Sequence, residues 1–310
     1  MDRVEVSILI VNWNTRELVC ECLRSVYDHA CGLVFEVIVV DNASTDGSCE
    51  CIEKAFAPVK LIRSPENLGF ARGNNLAARH ASGNLLLLLN PDAVLRSDSI
   101  KTLVAYARAH ADGGAWGGVC ELPNGTVDPG CRQVPPSLKH TFRSLLGLTA
   151  RRVMHLDRSE AFEGPVPVLS GAYMMVRTEI WRRVGGFDEA FTLYAEETDL
   201  CYRIQKTGCD IYMTGQSRIL HNTGSGNPYD PKRMLYQTRG VMQFYRKHFT
   251  GMQATCAAVM IWLHSFERIV GSWVLMPWLG QVRCVCLRKR MSLVWRHPGW
   301  WWQGWLGQKL

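Results

Sequence analysis

The stretch "GNLLLLLNPDAVL" (Gly83–Leu95) decides the fold. Five consecutive leucines need a dry home on both faces, as in a strand of a parallel sheet covered by helices. The run then stops at Asn90-Pro91-Asp92 and delivers a carboxylate behind a proline. In an open parallel sheet, ligands bind beyond the carboxyl ends of the strands, which is where this acid falls.

Working outward, the chain alternates strands and helices. "VEVSILIVN" (4–12) reads as a strand, and "RELVCECLRSVYDH" (16–29) as an amphipathic helix capped by Asn14/Thr15. "LVFEVIVVD" (33–41) is a second strand and "GSCECIEKAFA" (47–57) a second helix. The strand "VKLIRS" (59–64) and a helix around 70–82 lead into the leucine run. This pattern predicts an α/β fold with a mostly parallel central sheet and helices on both faces. A second strand ends in an acid, Asp41. Either acid alone reads equally well as a cap of the next turn. Two at the ligand edge of neighbouring strands favour a site.

The second half reads differently. Residues 165–191 give two β-like pieces, a short helix and a Gly-Gly turn. "AEETDLCYRIQKTG" (195–208) reads as a helix closed by Gly208, followed by a strand at 209–215 and a strand end running into a Gly-rich loop at 217–228. Residues 134–163 lack periodicity and read as a long surface loop. There is no G-x-G-x-x-G after the first strand and no Walker A sequence, which weighs against dehydrogenases and NTPases.

The chain has 310 residues and a formal net charge of +7, unevenly placed. Residues 251–310 hold seven Lys/Arg against one acid, and eight of the 11 tryptophans lie beyond residue 260. That sets a basic, Trp-rich helical tail (251–310) apart from a catalytic domain (1–250). Twelve cysteines occur without a C-x-x-C and matching His pair, so reduced structural thiols in a cytoplasmic protein are expected rather than zinc or disulfides. The start "MDRVEVSILIVNWN" lacks the basic-then-apolar order of a signal peptide.

A nucleotide carrying a diphosphate accounts for the pieces. A divalent cation, magnesium or manganese, would sit beside a strand-end carboxylate, with Asp92 as its candidate ligand. Asp41 could accept a hydrogen bond from a base N–H. "ENLGFARGNN" (66–75) places Gly69 and Gly73 where backbone comes close to something, with Arg72 nearby to meet phosphate. Taken alone, that segment reads equally as a solvated helix start, and "DNASTDGS" as a plain turn.

Seven motifs in order, "VSILIVNWNT", "VIVVDNASTDGS", "NLGFARGNN", "LLLLLNPDA", "GGFDEAF", "YAEETDLCYR" and the His of "ILHNTG", resemble the family 2 glycosyltransferases of the Rossmann-like GT-A fold over roughly residues 4–250. "NPDA" in place of a multi-acid motif is similar to the bacterial rhamnosyltransferase-type branch, which builds cell-surface polysaccharide. The resemblance implies that Val11, Asn12 and Asp41 line the nucleoside pocket and that Arg72 and Asn75 lie near the nucleotide. Asp92 would hold the metal, and His221 would be a further ligand. Asn90 replaces the first acid of the fuller motif, leaving less negative charge for the cation. The reaction implied is inverting transfer from a nucleotide-sugar, such as dTDP-rhamnose, to a hydroxyl of a glycan or lipid-linked glycan. Alternatives are another donor (a nucleotide-hexose or nucleotide-galactofuranose) or an inactive glycan-binding scaffold.

Three acids compete for general base: Glu196, Glu197 and Asp199. On a helix, Glu196 and Asp199 share a side that continues to Arg203, an i+4 partner for Asp199. Glu197 instead heads the apolar face of Leu200, Cys201 and Ile204, and an acid there needs a reason. The resemblance points to the same residue, although Asp is commoner at that position.

In the tail, "ATCAAVMIWLHSF" (254–266) and "IVGSWVLMPWLGQV" (269–282) each fall short of the roughly 20 residues of a spanning helix. Mixed Arg/Lys and Trp in the last segment favour binding to an anionic membrane surface, peripherally on the inner membrane face, over the alternative of a helix pair packed on the catalytic domain. No nucleic-acid-binding motif accompanies the charge.

Overall fold

The computed structural model describes residues 4–148, 162–222, 230–274, 276 and 281–304. The Gly-rich loop expected after His221 and the tail beyond residue 304 lie outside the described residues, as does much of the expected long loop. The chain divides into two compact units. Unit 1 comprises Met1–Pro135, Val153–Glu189 and Glu197–Thr223, and unit 2 comprises Pro136–Arg152, Ala190–Glu196 and Gly224–Leu310.

Unit 1 opens with β1 (Val6–Asn12), α1 (Arg16–His29), β2 (Phe35–Asp41), α2 (Ser48–Ala55), β3 (Lys60–Arg63), α3 (Gly69–Arg79) and β4 (Leu85–Leu89). Leu86, Leu87 and Leu88 are wholly buried, each worth about 1.5–3 kcal/mol of apolar burial. The cap expected for α1 comes from elsewhere. Thr15 caps nothing with its side chain; Asp46 Oδ2 accepts the Arg16 N–H at 2.8 Å instead.

The sheet continues with β5 (Ala93–Leu95), β6 (Gly113–Glu121), β8 (Glu163–Pro165), β10 (Tyr173–Arg177) and β11 (Asp210–His221). The strand order is β3-β2-β1-β4-β10-β6-β11-β5, with β8 paired to β11. The sheet is mixed, which corrects the expectation of a mostly parallel one. β10 runs antiparallel between β4 and β6, while β5 and β8 run antiparallel to β11. Apolar runs show that a strand is buried but not which neighbour it takes or in which direction. The strands ending in Asp41 and before Asp92 are not neighbours either, because β1 lies between β2 and β4. A two-stranded sheet of β7 (Arg132–Gln133) and β9 (Val168–Leu169) stands apart, pairing Gln133 with Val168. Helices α4 (Ser99–Ala109), α6 (Thr178–Val184) and α7 (Glu196–Lys206) complete the layers.

Unit 2 is helical: α5 (Leu138–Leu145), α8 (Pro231–His248), α9 (Gly251–Val274), α10 (Gln281–Arg296) and α11 (Pro298–Trp301). Helix α5 occupies part of the expected loop, with the Ser137 hydroxyl accepting the His140 N–H at its start. Helix α8 packs on α9, α10 and α11, so this unit reaches back before residue 251. Ala254, Ala257 and Ala258 are buried and let these helices approach closely, against Met242, Tyr245, Val294 and Trp301. Trp301 is wholly buried and donates its indole N–H to Val294 O at 2.7 Å, so this tail tryptophan packs inside the unit. Among the described residues, no helix is long and apolar enough to cross a membrane.

Candidate active site

At the carboxyl edge of unit 1, β1 and β2 end in register, Asn12 beside Asp41. Asp41 is almost wholly buried; its Oδ2 accepts from Asn12 Nδ2 at 2.7 Å and its Oδ1 from the Ser44 N–H at 2.8 Å. The acid thus folds the turn after β2, in which Ala43 adopts a left-handed φ of 58°. A carboxylate has four acceptor positions, and because the Cys49 thiol also hydrogen-bonds to Asp41, one remains. Val11, half-buried, lies against Gly73 of α3, where a Cβ would meet its Cγ1 at 2.8 Å. Here is the close backbone approach expected of that glycine.

Immediately before Gly73 on α3, Arg72 is half-exposed and pairs with Glu66 at 3.2 Å and Glu189 at 3.9 Å. Asn75 lies on the wall of a cleft, but its amide is tied to the neighbouring backbone. Its Oδ1 accepts the Phe187 N–H and its Nδ2 donates to Phe187 O, both at 2.9 Å. It thereby clamps the turn of Gly185 and Gly186, whose φ values of 80° and 66° favour glycine. A cleft of about 520 Å³ lies between Arg79, Trp181, Arg182 and Glu189, but none of Asp92, His221 or Glu197 lines it.

Three sequence-predicted residues do converge. Pairing of β5 with β11 sets Ala93 opposite His221, and the Asn222 N–H donates to Asp92 O at 2.9 Å. His221 Nε2 then lies 3.3 Å from Asp92 Oδ1 and 3.2 Å from Asn90 Nδ2. A residue that sequence reasoning missed faces the other ring nitrogen: Asp128 Oδ2 is 3.2 Å from His221 Nδ1. Burial opposes charging of His221, but hydrogen bonds and attraction from Asp128 and Asp92 outweigh it and raise the pKa to about 9. Nothing in "LPNGTVDPG" marks Asp128, whose partner lies 93 residues away.

These residues suit a divalent cation that shares its coordination with a substrate. Asp92 and His221 supply one oxygen and one nitrogen, and a carboxylate behind a ligating histidine is the usual support that fixes its tautomer. Among the described residues, no group of three or more His, Cys, Asp or Glu forms a cage by itself. Magnesium-type sites commonly take one or two carboxylates and complete the shell with substrate phosphates and water.

Glu197 lies on α7 above the wholly buried Leu200, Cys201 and Ile204. It is half-buried, and its Oε1 accepts from Gln133 Nε2 at 3.0 Å. Burial raises its pKa, against the Gln133 hydrogen bond that lowers it. Asp199 pairs with Arg203 at 2.7 Å as the i+4 spacing predicts, and it is wholly buried. Glu196 is also buried. Just before α7, Tyr194 and Ala195 have φ values of 66° and 70°, a backbone form that costs on the order of 1–3 kcal/mol per residue and gathers at functional sites.

Asp128 and Gln133 are joined by a single 3-10 turn, Pro129–Cys131. Five residues span at most roughly 18 Å even fully extended, so one short segment touches both the histidine and the candidate base.

Residues 7–185 match the model of the family described as "Glycosyl transferase family 2". The chain belongs to glycosyl transferase family 2. It is 29% identical over 218 residues to the N-acetylglucosaminyl-diphospho-decaprenol L-rhamnosyltransferase of Mycobacterium tuberculosis (strain CDC 1551 / Oshkosh), covering 64% of this chain and 70% of that one. It is 25% identical over 163 residues to the rhamnosyltransferase WbbL of Escherichia coli (strain K12), covering 49% and 60%. Among solved structures, the mannosyltransferase PcManGT of Pyrobaculum calidifontis, in complex with GDP-Man and Mn2+, superposes with a TM-score of 0.62 at 17% identity, over 98% of this chain and 84% of that one. At that identity the likeness shows the fold, a GT-A-like one. This family 2 enzyme is therefore a glycosyltransferase of glycan biosynthesis, rhamnosyltransferase-like in its relatives.

Proposed function

We propose that this glycosyltransferase moves a sugar, with inversion, from a nucleotide-sugar to a hydroxyl of a lipid-linked glycan at the cytoplasmic face of a membrane. The observation that carries the reading is the convergence of Asp92, His221 and Asp128 beyond the end of β4. Asp92 and His221 would hold a magnesium or manganese ion, which neutralises the donor diphosphate when bound. Val11, Asn12 and Asp41 form the nucleoside side, with Asp41 offering its one remaining lone pair to a base N–H. Arg72 exchanges a surface acid for phosphate, and Asn75 acts through the Gly186-Phe187 turn it clamps. Asn90 orients the imidazole edge next to Asp92.

Glu197 takes the proton as the acceptor oxygen forms its bond to the anomeric carbon. The bond from that carbon to the phosphate oxygen breaks, and the nucleoside diphosphate leaves. The raised pKa keeps Glu197 a stronger base than a solvated glutamate. The relatives' names favour a rhamnose donor, which we take to be dTDP-rhamnose, over a nucleotide-hexose or nucleotide-galactofuranose. Thermal-shift titration with a panel of nucleotide-sugars, with and without manganese, tests the reading. A manganese-dependent shift with dTDP-rhamnose is expected, and no shift with any nucleotide-sugar would overturn it.

A further inference from the structure

Helix α9 carries an apolar stripe that stays largely exposed among the described residues, with only the Trp295 ring, 5.7 Å from Phe266, and Arg288 lying over its C-terminal half. Met252, Val259, Leu263, Phe266, Val270 and Trp273 are each between 40% and 77% exposed. Their spacing of seven, four, three, four and three residues puts them on one face. That face runs about 31 Å at 1.5 Å per residue, the length of an element lying along a surface. Helix α5, which packs along α9, adds a mixed face: Lys139, Phe142, Arg143 and Leu146 are all exposed at helical spacing. The Arg288 guanidinium stacks over Trp273, 3.6 Å from the ring centre.

Charge selects the occupant. The segments of unit 2 contain sixteen Lys/Arg against three acids, Glu196, Asp230 and Glu267, a formal +13. With the whole chain at +7, unit 1 is left at −6, so the basic charge belongs wholly to the unit with the apolar stripe. A second copy of this unit would be repelled. The only charged residues of α9 are Glu267 and Arg268, too few to pair two such helices in register. An anionic bilayer matches both features, taking apolar side chains at the head-group boundary and cations at its surface.

We propose that the stripe of α9, flanked by the basic face of α5, is the surface by which the enzyme docks in the plane of an anionic phospholipid membrane. This rests on the reading that the enzyme works at a membrane, and on no assignment in the nucleotide site. It moves the anchoring role from the Trp-rich end of the tail, where Trp301 is buried, to a helix that precedes it.

The test is flotation of the full-length protein with phosphatidylcholine vesicles, with and without phosphatidylglycerol, at low and high salt and without donor. Wild type is expected to float with the anionic vesicles and to be weakened by salt. Leu263→Glu with Val270→Glu, and each singly, should reduce binding at least tenfold while circular dichroism and melting stay unchanged, since both residues are exposed. Lys139→Glu with Arg143→Glu should reduce binding at low salt. Failure of wild type to bind any vesicle would overturn the membrane reading itself. Undiminished binding of the folded α9 variants would overturn this face while leaving that reading standing. Sedimentation velocity supplies the remaining arm: a lipid-free dimer that the α9 substitutions dissociate would assign the stripe to self-association and overturn the proposal.

Discussion

Gln133 donates its side-chain N–H to Glu197 Oε1 at 3.0 Å, from a strand that begins four residues after Asp128. That bond favours the charged carboxylate, whereas burial disfavours it and wins. Turnover that needs ionised Glu197 should therefore fall on the acid side at a pH above the ordinary glutamate range. Gln133→Leu should move this limb to still higher pH. A kcat/KM profile from pH 4 to 9 checks both, and an unmoved limb would remove Gln133 from the mechanism. Glu197→Gln should keep donor binding and lower kcat at least about a hundredfold. A large loss in Glu196→Gln or Asp199→Asn, with Glu197→Gln near normal, would move the base.

The Asp128 carboxylate sits behind His221. Asp128→Asn should weaken manganese binding in the presence of a nucleoside diphosphate by about 10–100-fold, the usual scale for losing a carboxylate behind a metal-binding histidine. Electron paramagnetic resonance of free manganese reads this without turnover. Equal affinity in the variant would make Asp128 a bystander.

Asn75 satisfies both backbone groups of Phe187. Asn75→Ala should cost about 2–4 kcal/mol, because two buried polar groups lose their partners. Urea denaturation checks this, and an unchanged midpoint would show that the turn is held by other contacts.

Gly73 leaves no room for a side chain beside Val11. Gly73→Ala should displace Val11 and weaken nucleoside diphosphate binding, measured by calorimetry, with manganese binding to the free protein unaffected. Undiminished nucleoside diphosphate affinity would place Val11 outside the pocket.

Much of unit 1 was legible because its signals are local. The apolar period of Arg16–His29 marks α1 at its true ends, and the leucine run places β4. Partner choice was not legible: the antiparallel insertion of β10 depends on the tertiary fold, not on its own residues. β6 carries four glycines in nine residues, which hides its strand character. Helix α5 spaces Leu138, Phe142 and Leu145 helically, but with eight residues and none buried its period covers too few turns to stand out from a loop. In the site, Asp92 and His221 were readable from motif order, and the structure brings them together. Asp128 and Gln133 were not, since each gains its meaning from a partner at least 64 residues away.

In the proposed mechanism, Asp92 and His221 hold a cation that in turn holds the donor. Calorimetric titration of nucleoside diphosphate into the enzyme with manganese, and again with chelator, tests it most directly. Tight binding is expected only with manganese in wild type, with loss of that gain in Asp92→Asn and His221→Ala while the fold stays intact. Equal binding with and without the cation, or an undiminished manganese effect in both variants, would contradict it.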